Sequence, residues 1–404
     1  MSKLDTAPYK GVRDFYPEDM AVQRYIFDTW ASVAESFGFE RYDASILEPS
    51  ELYRAKSSEE IVNDQTYTFT DRGDREVTLR PEMTPTVARM VAARANALRK
   101  PVRWFSMPQL FRYERQQKGR LREHYQLNVD LLGEADVSAD AELLAMCIDT
   151  LRAFGLTSDD VVARVSDRRI LQAYLQSLGV PNERIGELYA IIDKLGRTPP
   201  SVSAEKLASM KLSPSSIEAV LRIDKATLAD VSAALQDFRA QDETKDFFRY
   251  LRYLGELGVS NYVRFDLSIV RGLAYYTGIV FEIFDIKGEF RAIAGGGRYD
   301  NLLASLGGVD MPALGFGMGD VVLGELLRAR GLMKPDAIGP DVWLAAGESQ
   351  PLEQVMREAT RLRIAGQSVE YALRPQSLSR QKKAAQASGA REFMTLSNDD
   401  GRNG

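Results

Sequence analysis

The sequence predicts an α+β fold: an antiparallel sheet interrupted by a helical stretch and followed by a small α/β unit. Three textures predict it. Up to about residue 166, strand-like and helix-like stretches mix without regular β-α alternation, which suits an antiparallel sheet. From about 167 to 258, apolar residues recur at a 3.6-residue period and strand patterns vanish. Beyond 340, strand and helix alternate in the manner of a parallel sheet. With 404 residues the chain exceeds one ordinary core, so two or three domains are expected.

Each element follows from local pattern. Met20, Ile26, Phe27, Trp30, Val33 and Ala34 stand at helical spacing, and Gly38 ends that helix. Residues 39–47 read as a strand closed by Pro49, and 64–79 as a hairpin turning at 71–74. Residues 85–98 read as a helix rich in Ala and Val. Residues 138–154 read as another, with Ser138 placed to cap its start. In the helical stretch, Leu171, Tyr174, Leu175 and Leu178 mark one helix and Ile185, Leu188, Ile191 and Ile192 the next. Pro181, Pro199, Pro200 and Pro214 punctuate it. Strand-like sequence returns at 262–267 and 279–284, followed by Gly295–Gly297, read as a turn, and a Gly-rich run at 315–319. Residues 331–340 read as a linker. Strand, helix, strand, helix and strand then follow at 341–346, 350–364, 368–373, 377–388 and 391–396, before a polar tail at 397–404.

Composition narrows the chemistry. A single cysteine, Cys147, in the apolar stretch 143–151, excludes an internal disulfide and multi-cysteine metal sites, and reads as a small buried hydrophobe. A single histidine, His124, removes Ser-His-Asp, Cys-His and multi-histidine metal schemes. Catalysis must rest on positioning, Arg, Lys, carboxylates and bound Mg²⁺, which favours phosphoryl or nucleotidyl transfer over hydrolysis. No apolar run nears the roughly 20 residues that cross a bilayer. The polar first ten residues lack the apolar core of a signal peptide, so no membrane contact and a cytoplasmic place are expected. The net charge of −5 argues against a general nucleic-acid coat, yet basic residues cluster at 112–122 and 374–383.

The first cluster is the most informative stretch of the chain. Four Arg and one Lys fall within the eleven residues from Arg112 to Arg122, broken by Gly119 and set between apolar runs at 101–110 and 127–132. Strand, basic loop and strand make a geometry for gripping a polyphosphate, because guanidinium forks bind phosphate oxygens in pairs. Three further strings stand out: Arg-Pro-Glu-Met-Thr at 80–84, Arg-Gly-Leu-Ala-Tyr-Tyr at 271–276, and Gly-Gly-Gly-Arg-Tyr-Asp at 295–300. Alone, the first fits a helix N-terminus and the last a plain turn.

Together, in this order and separation, these strings resemble the histidyl-tRNA synthetases, a family of class II aminoacyl-tRNA synthetases. The likeness spans about residues 8–397. It implies a class II catalytic domain in two parts, 1–166 and 259–330, around a helical insertion at 167–258. After the linker at 331–340 it implies an anticodon-binding-like α/β domain at 341–404, apparently shortened. Activity would be histidine–tRNA ligation with ATP and Mg²⁺. The partners would be histidine, tRNA(His) and a second copy of the chain, with residues 10–49 building the dimer interface.

Roles carry over residue by residue. Arg112 and Arg271 would be catalytic. Arg112, Glu114 and Arg120 would bind ATP. Histidine would meet Glu82, Thr84, Gln126, Asp130, Arg271, Tyr275, Tyr276 and Tyr299, while Arg115 and Gln117 would touch the tRNA acceptor stem. No resident metal is implied. The chain departs from the family pattern at Met83 (usually Gly), Gln116 (usually Pro), Ala274 (usually Asp) and Val322, where an Arg that stacks on adenine is expected. Val322 and the short C-terminus fit an alternative, a non-catalytic histidine-sensing regulatory subunit of ATP phosphoribosyltransferase. The basic loop, the 271–276 string and the C-terminal domain speak against it. A general ATP-binding interaction protein is a third class, and histidine-dependent pyrophosphate exchange separates all three.

Overall fold

The structure, a computed structural model, describes residues 6–54, 65–113, 121–195, 198–235, 241–270 and 275–396. The chain divides into two compact units: Ile26–Met333 with the residues up to Asp14, and the chain from Lys334 on with Phe15–Tyr25.

Helix α1 (Pro17–Ser36) leads to strands β1 (Glu40–Arg41) and β2 (Leu47–Pro49), then α2 (Ser50–Arg54), β3 (Tyr67–Thr70) and β4 (Glu76–Leu79). Next come α3 (Thr84–Arg94), β5 (Val102–Ser106), β6 (Gln109–Phe111), β7 (Glu123–Leu132), α4 (Val137–Ala153) and β8 (Val161–Asp167). The stretch expected to be helical holds α5 (Arg168–Ser177), α6 (Ile185–Ile192), α7 (Pro200–Ser209), α8 (Pro214–Leu221), α9 (Leu228–Ala234) and α10 (Gln241–Glu256). Strand sequence resumes as β9 (Val263–Phe265), β10 (Ile279–Asp285) and β11 (Ala294–Arg298), then α11 (Leu302–Gly307), β12 (Ala313–Gly319) and α12 (Asp320–Ala329).

In the large sheet the strands run β1-β5-β7-β12-β11-β10-β8-β9, with β6 also paired to β7. Its interior is antiparallel as expected, whereas the two edge pairs, β1 with β5 and β8 with β9, are parallel. Buried β7 lies between β5 and β12, so its side chains face the middle of the unit. Cys147 is fully buried in α4.

The smaller unit contains β13 (Val342–Ala345), α13 (Leu352–Ile364), β14 (Val369–Tyr371), α14 (Leu378–Ser388) and β15 (Glu392–Thr395). Its three strands are parallel in the order β14-β13-β15, the pattern that their alternation with helices predicts. One face of β13 packs Val342 and Leu344 on α13, and the other packs Trp343 and Ala345 on α14.

Three local expectations need correction. Residues 39–47 do not form one strand: Asp43 and the Ala44 carbonyl turn aside to bind the buried Arg80 guanidinium, at 3.0 and 2.8 Å. Helix α4 starts one residue early, and Asp136, not Ser138, caps it by accepting the Ser138 N–H at 2.9 Å. Gly295–Gly297 is not a turn but the body of β11, where neighbouring strands come too close for side chains.

Candidate active site

The site is built on one face of β7. Side chains alternate along a strand, so Gln126, Asn128 and Asp130 share a face. They form a ladder: Gln126 Nε2 donates to Asn128 Oδ1 at 2.8 Å, and Asn128 Nδ2 donates to Asp130 Oδ2 at 2.9 Å. The Tyr299 hydroxyl, just past β11, donates to the other Asp130 oxygen. Asn128 is the rung that sequence reading missed, although its place midway between two chosen residues marks it.

Glycines make room for this ladder. In the pairing of β12 with β7, Gly315 stands opposite Asp130 and Gly317 opposite Asn128. A methyl group on Gly315 would lie 2.6 Å from Asp130 Oδ1, 2.6 Å from the Val129 carbonyl and 3.0 Å from the Tyr299 hydroxyl. On Gly297 it would lie 2.6 Å from the Ile279 carbonyl and 3.0 Å from the Tyr276 ring.

Aromatic rings form the adjoining wall. Tyr275 packs edge-on against Tyr299, with centroids 5.7 Å apart, and lies 5.1 Å from Tyr276. Tyr276 and Tyr299 belong to the hydrophobic core with Val87, Val91 and Leu303. At the far end of the wall, the Tyr275 hydroxyl donates to Glu82 Oε2 at 3.2 Å. Glu82 is buried, precedes α3 and does not cap it: no side chain caps that helix, whose start is set by Pro85. Met83 fills the core beside it and Thr84 opens the helix.

Arg112 sits at the root of the basic loop. Its backbone N–H donates to the Arg122 carbonyl at 2.9 Å, and its guanidinium donates to the Pro81 carbonyl at 2.9 Å. That second bond ties the end of β6 to the segment carrying Glu82. Glu114, Arg115, Gln117, Arg120 and Arg271 lie outside the described residues.

The electrostatics set Asp130 apart. Burial pushes its carboxyl up to about 6, against the opposing hydrogen bonds from Tyr299 and Asn128. The Tyr299 hydroxyl is raised well above its usual range by burial and by the charge of Asp130. His124 behaves differently. Burial, then the positive charges of Arg112 and Arg13, push it down to about 3, so it stays neutral at working pH. Replacement His124→Gln is therefore expected to leave the pH profile of activity unchanged between pH 6 and about 9. A shifted acid limb in that profile would give His124 a proton-handling role.

Two arginines of the motifs turn out to be structural. Arg80 donates to Asp43, to the Ala44 carbonyl and to the Gln109 carbonyl. Arg298, in the Gly-Gly-Gly-Arg-Tyr-Asp string, reaches away from the site to Asp140 of α4 and to the Glu134 and Asp136 carbonyls. The Gly-rich run at 315–319 belongs to β12, which runs straight into α12, with Val322 in the first turn of the helix. Arg13 stands beside that turn and pairs with Asp320 at 2.9 Å and Glu123 at 2.6 Å.

A family model, histidyl-tRNA synthetase, matches residues 11–319. The chain belongs to the histidyl-tRNA synthetase family. It is 44% identical to the histidine–tRNA ligase of Opitutus terrae over 96% of this chain and 90% of that relative. Two solved structures show the same fold. The histidyl-tRNA synthetase of Nostoc sp. PCC 7120 matches with a TM-score of 0.82 at 23% identity, over 96% of this chain and 91% of its own. A Bacillus halodurans protein described as an ATP phosphoribosyltransferase regulatory subunit/histidyl-tRNA synthetase matches with a TM-score of 0.80 at 22% identity, over 98% and 99%. At that identity the likeness speaks for the fold alone. The regulatory-subunit reading is not favoured, since the relative alike in sequence is named a ligase.

Proposed function

We propose that this chain activates histidine with ATP and passes the histidyl group to the 3′ end of tRNA(His). The observation that carries this reading is the line of contacts from Glu82 through Tyr275 and Tyr299 to Asp130, Asn128 and Gln126, buried at Glu82, Tyr299, Asn128 and Asp130. It places a carboxylate at each end of an aromatic wall, a spacing that suits an amino acid with a cationic α-amino group and an imidazole N–H. Glu82 takes the ammonium. Asp130, with Gln126 and Tyr299, takes the imidazole, and Thr84, Tyr275 and Tyr276 complete the pocket.

In the first step the histidine carboxylate attacks the α-phosphorus of ATP and pyrophosphate leaves. Charge builds on the non-bridging oxygens, which Arg112 and Arg271 stabilise, while Arg120 holds the γ-phosphate and Glu114 the adenine amine. Mg²⁺ enters with the nucleotide as part of the substrate. In the second step a terminal ribose hydroxyl of tRNA attacks the acyl carbon and AMP leaves, with Arg115 and Gln117 on the acceptor stem. No side chain acts as a nucleophile, so catalysis rests on alignment and electrostatics.

The same reading assigns catalytic parts to 1–166 and 259–330, an insertion to 167–258 and an anticodon-binding-like domain to 341–404. It includes a homodimer in the cytoplasm. Among the described residues no helix is long and apolar enough to cross a membrane.

The test is histidine-dependent exchange of labelled pyrophosphate into ATP. Exchange with histidine and none with other amino acids is expected, and its absence from pure protein would end the ligase reading. Glu82→Gln keeps the volume and the Tyr275 bond but removes the charge. It is expected to raise KM for histidine about tenfold, with KM for ATP unmoved; equal increases in both would remove Glu82 from the amino-acid site.

A further inference from the structure

The segment carrying the tyrosine wall is fastened from outside the pocket by one residue of the helical stretch. Arg168, the first residue of α5, donates to the Val270 carbonyl from Nη2 at 3.0 Å and from Nε at 3.3 Å. Its Nη1 donates to the Tyr276 carbonyl at 3.4 Å, and its backbone N–H donates to the Gly278 carbonyl at 3.0 Å. One guanidinium thus grips the chain on both sides of residues 271–275. Tyr189 of α6 lies under it, with the guanidinium carbon 4.8 Å from the ring centroid. The Tyr189 hydroxyl returns a bond to the Arg168 carbonyl at 3.4 Å.

We infer that Arg168 is a positioning residue for histidine binding: it fixes the stretch bearing Tyr275 and Tyr276 against Glu82 and Tyr299, and so couples helices α5 and α6 to the amino-acid pocket. The inference rests on the function proposed above and deepens it. Three physical points carry it. First, a planar fork with fixed donor directions holds two carbonyls six positions apart in sequence, which a lysine cannot do. Second, the position of the Tyr275 hydroxyl near Glu82 depends on main chain held at both flanks. Third, burial lowers the Arg168 pKa, against the favourable influence of Tyr189, Tyr276 and Asp193. Burying that cation is a cost, and main-chain carbonyls and an aromatic face offset it.

The test uses the full-length protein with Arg168→Ala and Arg168→Lys, measuring pyrophosphate exchange and, by calorimetry, histidine binding. Both variants are expected to weaken histidine binding and raise its KM about tenfold or more, with KM for ATP within about twofold of wild type. Added guanidinium ion is expected to restore part of the loss in Arg168→Ala, a rescue that general loosening of the fold would not give. Should Arg168→Ala fail to fold, Arg168→Lys decides by the same ratios. A folded variant with wild-type histidine affinity overturns the inference. So does a parallel rise in both KM values without guanidinium rescue. If wild-type protein binds histidine but exchanges no pyrophosphate, the ligase reading falls while the ratio of histidine dissociation constants still decides the role of Arg168. If it binds no histidine, both fall.

Discussion

Asp130→Asn is expected to cut histidine-dependent pyrophosphate exchange about a hundredfold while making the protein more stable above pH 6. Burial holds this carboxyl at about 6 instead of its ordinary 3.8, so the folded protein prefers the proton on. For a group raised in this way, the stabilising contribution is complete below about 3.8 and is lost as pH rises through about 6. The difference corresponds to roughly 3 kcal/mol of cost at neutral pH, which an uncharged amide avoids. Sterically the exchange is mild, because the amide ladder reverses. The new amide would accept from Tyr299 and donate to Asn128, and Asn128 would donate to Gln126.

Function responds the other way. A carboxylate attracts the imidazole N–H or imidazolium of the substrate, and an amide does so far less, so kcat/KM for histidine is expected to fall about a hundredfold or more. Wild-type KM for histidine should also rise as pH drops below about 6, where carboxyl and substrate are both protonated, and Asp130→Asn should lack that limb. Exchange rates from pH 5 to 9 and thermal melts at pH 5 and 8 check both halves. A variant that keeps near wild-type activity would remove Asp130 from histidine recognition. One destabilised at pH 8 would show that the carboxylate carries no burial cost.

Arg298→Ala is expected to destabilise the fold by about 3–5 kcal/mol, because it strands a buried carboxylate. Arg298 and Asp140 are 5% and 4% exposed, and their atoms approach to 2.5 Å. The same guanidinium donates to the Glu134 carbonyl at 3.0 Å and to Asp300 at 3.2 Å, joining the entry of α4 to β11. The double variant Arg298→Met with Asp140→Leu should recover much of the loss, since it removes both charges and refills the volume. Urea denaturation of wild type, Arg298→Met, Asp140→Leu and the double variant, with Arg298→Ala beside them, measures it. A single variant costing under about 1 kcal/mol would mean that water or local rearrangement satisfies Asp140. Activity of the double variant, once folded, should stay near wild type, because the Arg298 side chain reaches Asp140, Asp300 and the Glu134 and Asp136 carbonyls, none of them assigned to the pocket.

The chemistry of the site was legible in the sequence where it lay in short strings. The strings holding Glu82, Gln126, Asp130, the tyrosine pair and Tyr299 stand far apart in the chain, and the structure brings these residues together. The 2-residue alternation along 126–130 even places three of its side chains on one face. Local pattern failed where the reason for a conformation lay far along the chain. Gly295–Gly297 looked like a turn because glycine disfavours strands on its own. In the sheet it is strand because Tyr276, Ile279 and Phe316 occupy the space that side chains would need. Residues 43–44 leave the strand for a bond to Arg80, almost forty positions on.

The sequence by itself therefore determined the order of elements, the alternation in the C-terminal unit, and the short strings whose residues the proposed site draws on. Those properties follow from periodicity and from short strings whose chemistry is local. Only the tertiary structure decided which motif residues reach the pocket and which hold it together. In the string 298–299, Arg298 turns to Asp140 and Tyr299 to Asp130, and no local pattern separates the two. The glycine floor under the ladder and the grip of Arg168 on Val270 and Tyr276 were likewise settled by strand register and packing. Those contacts join residues some 20 to 190 positions apart, and their energies depend on burial that exists only once the chain has folded.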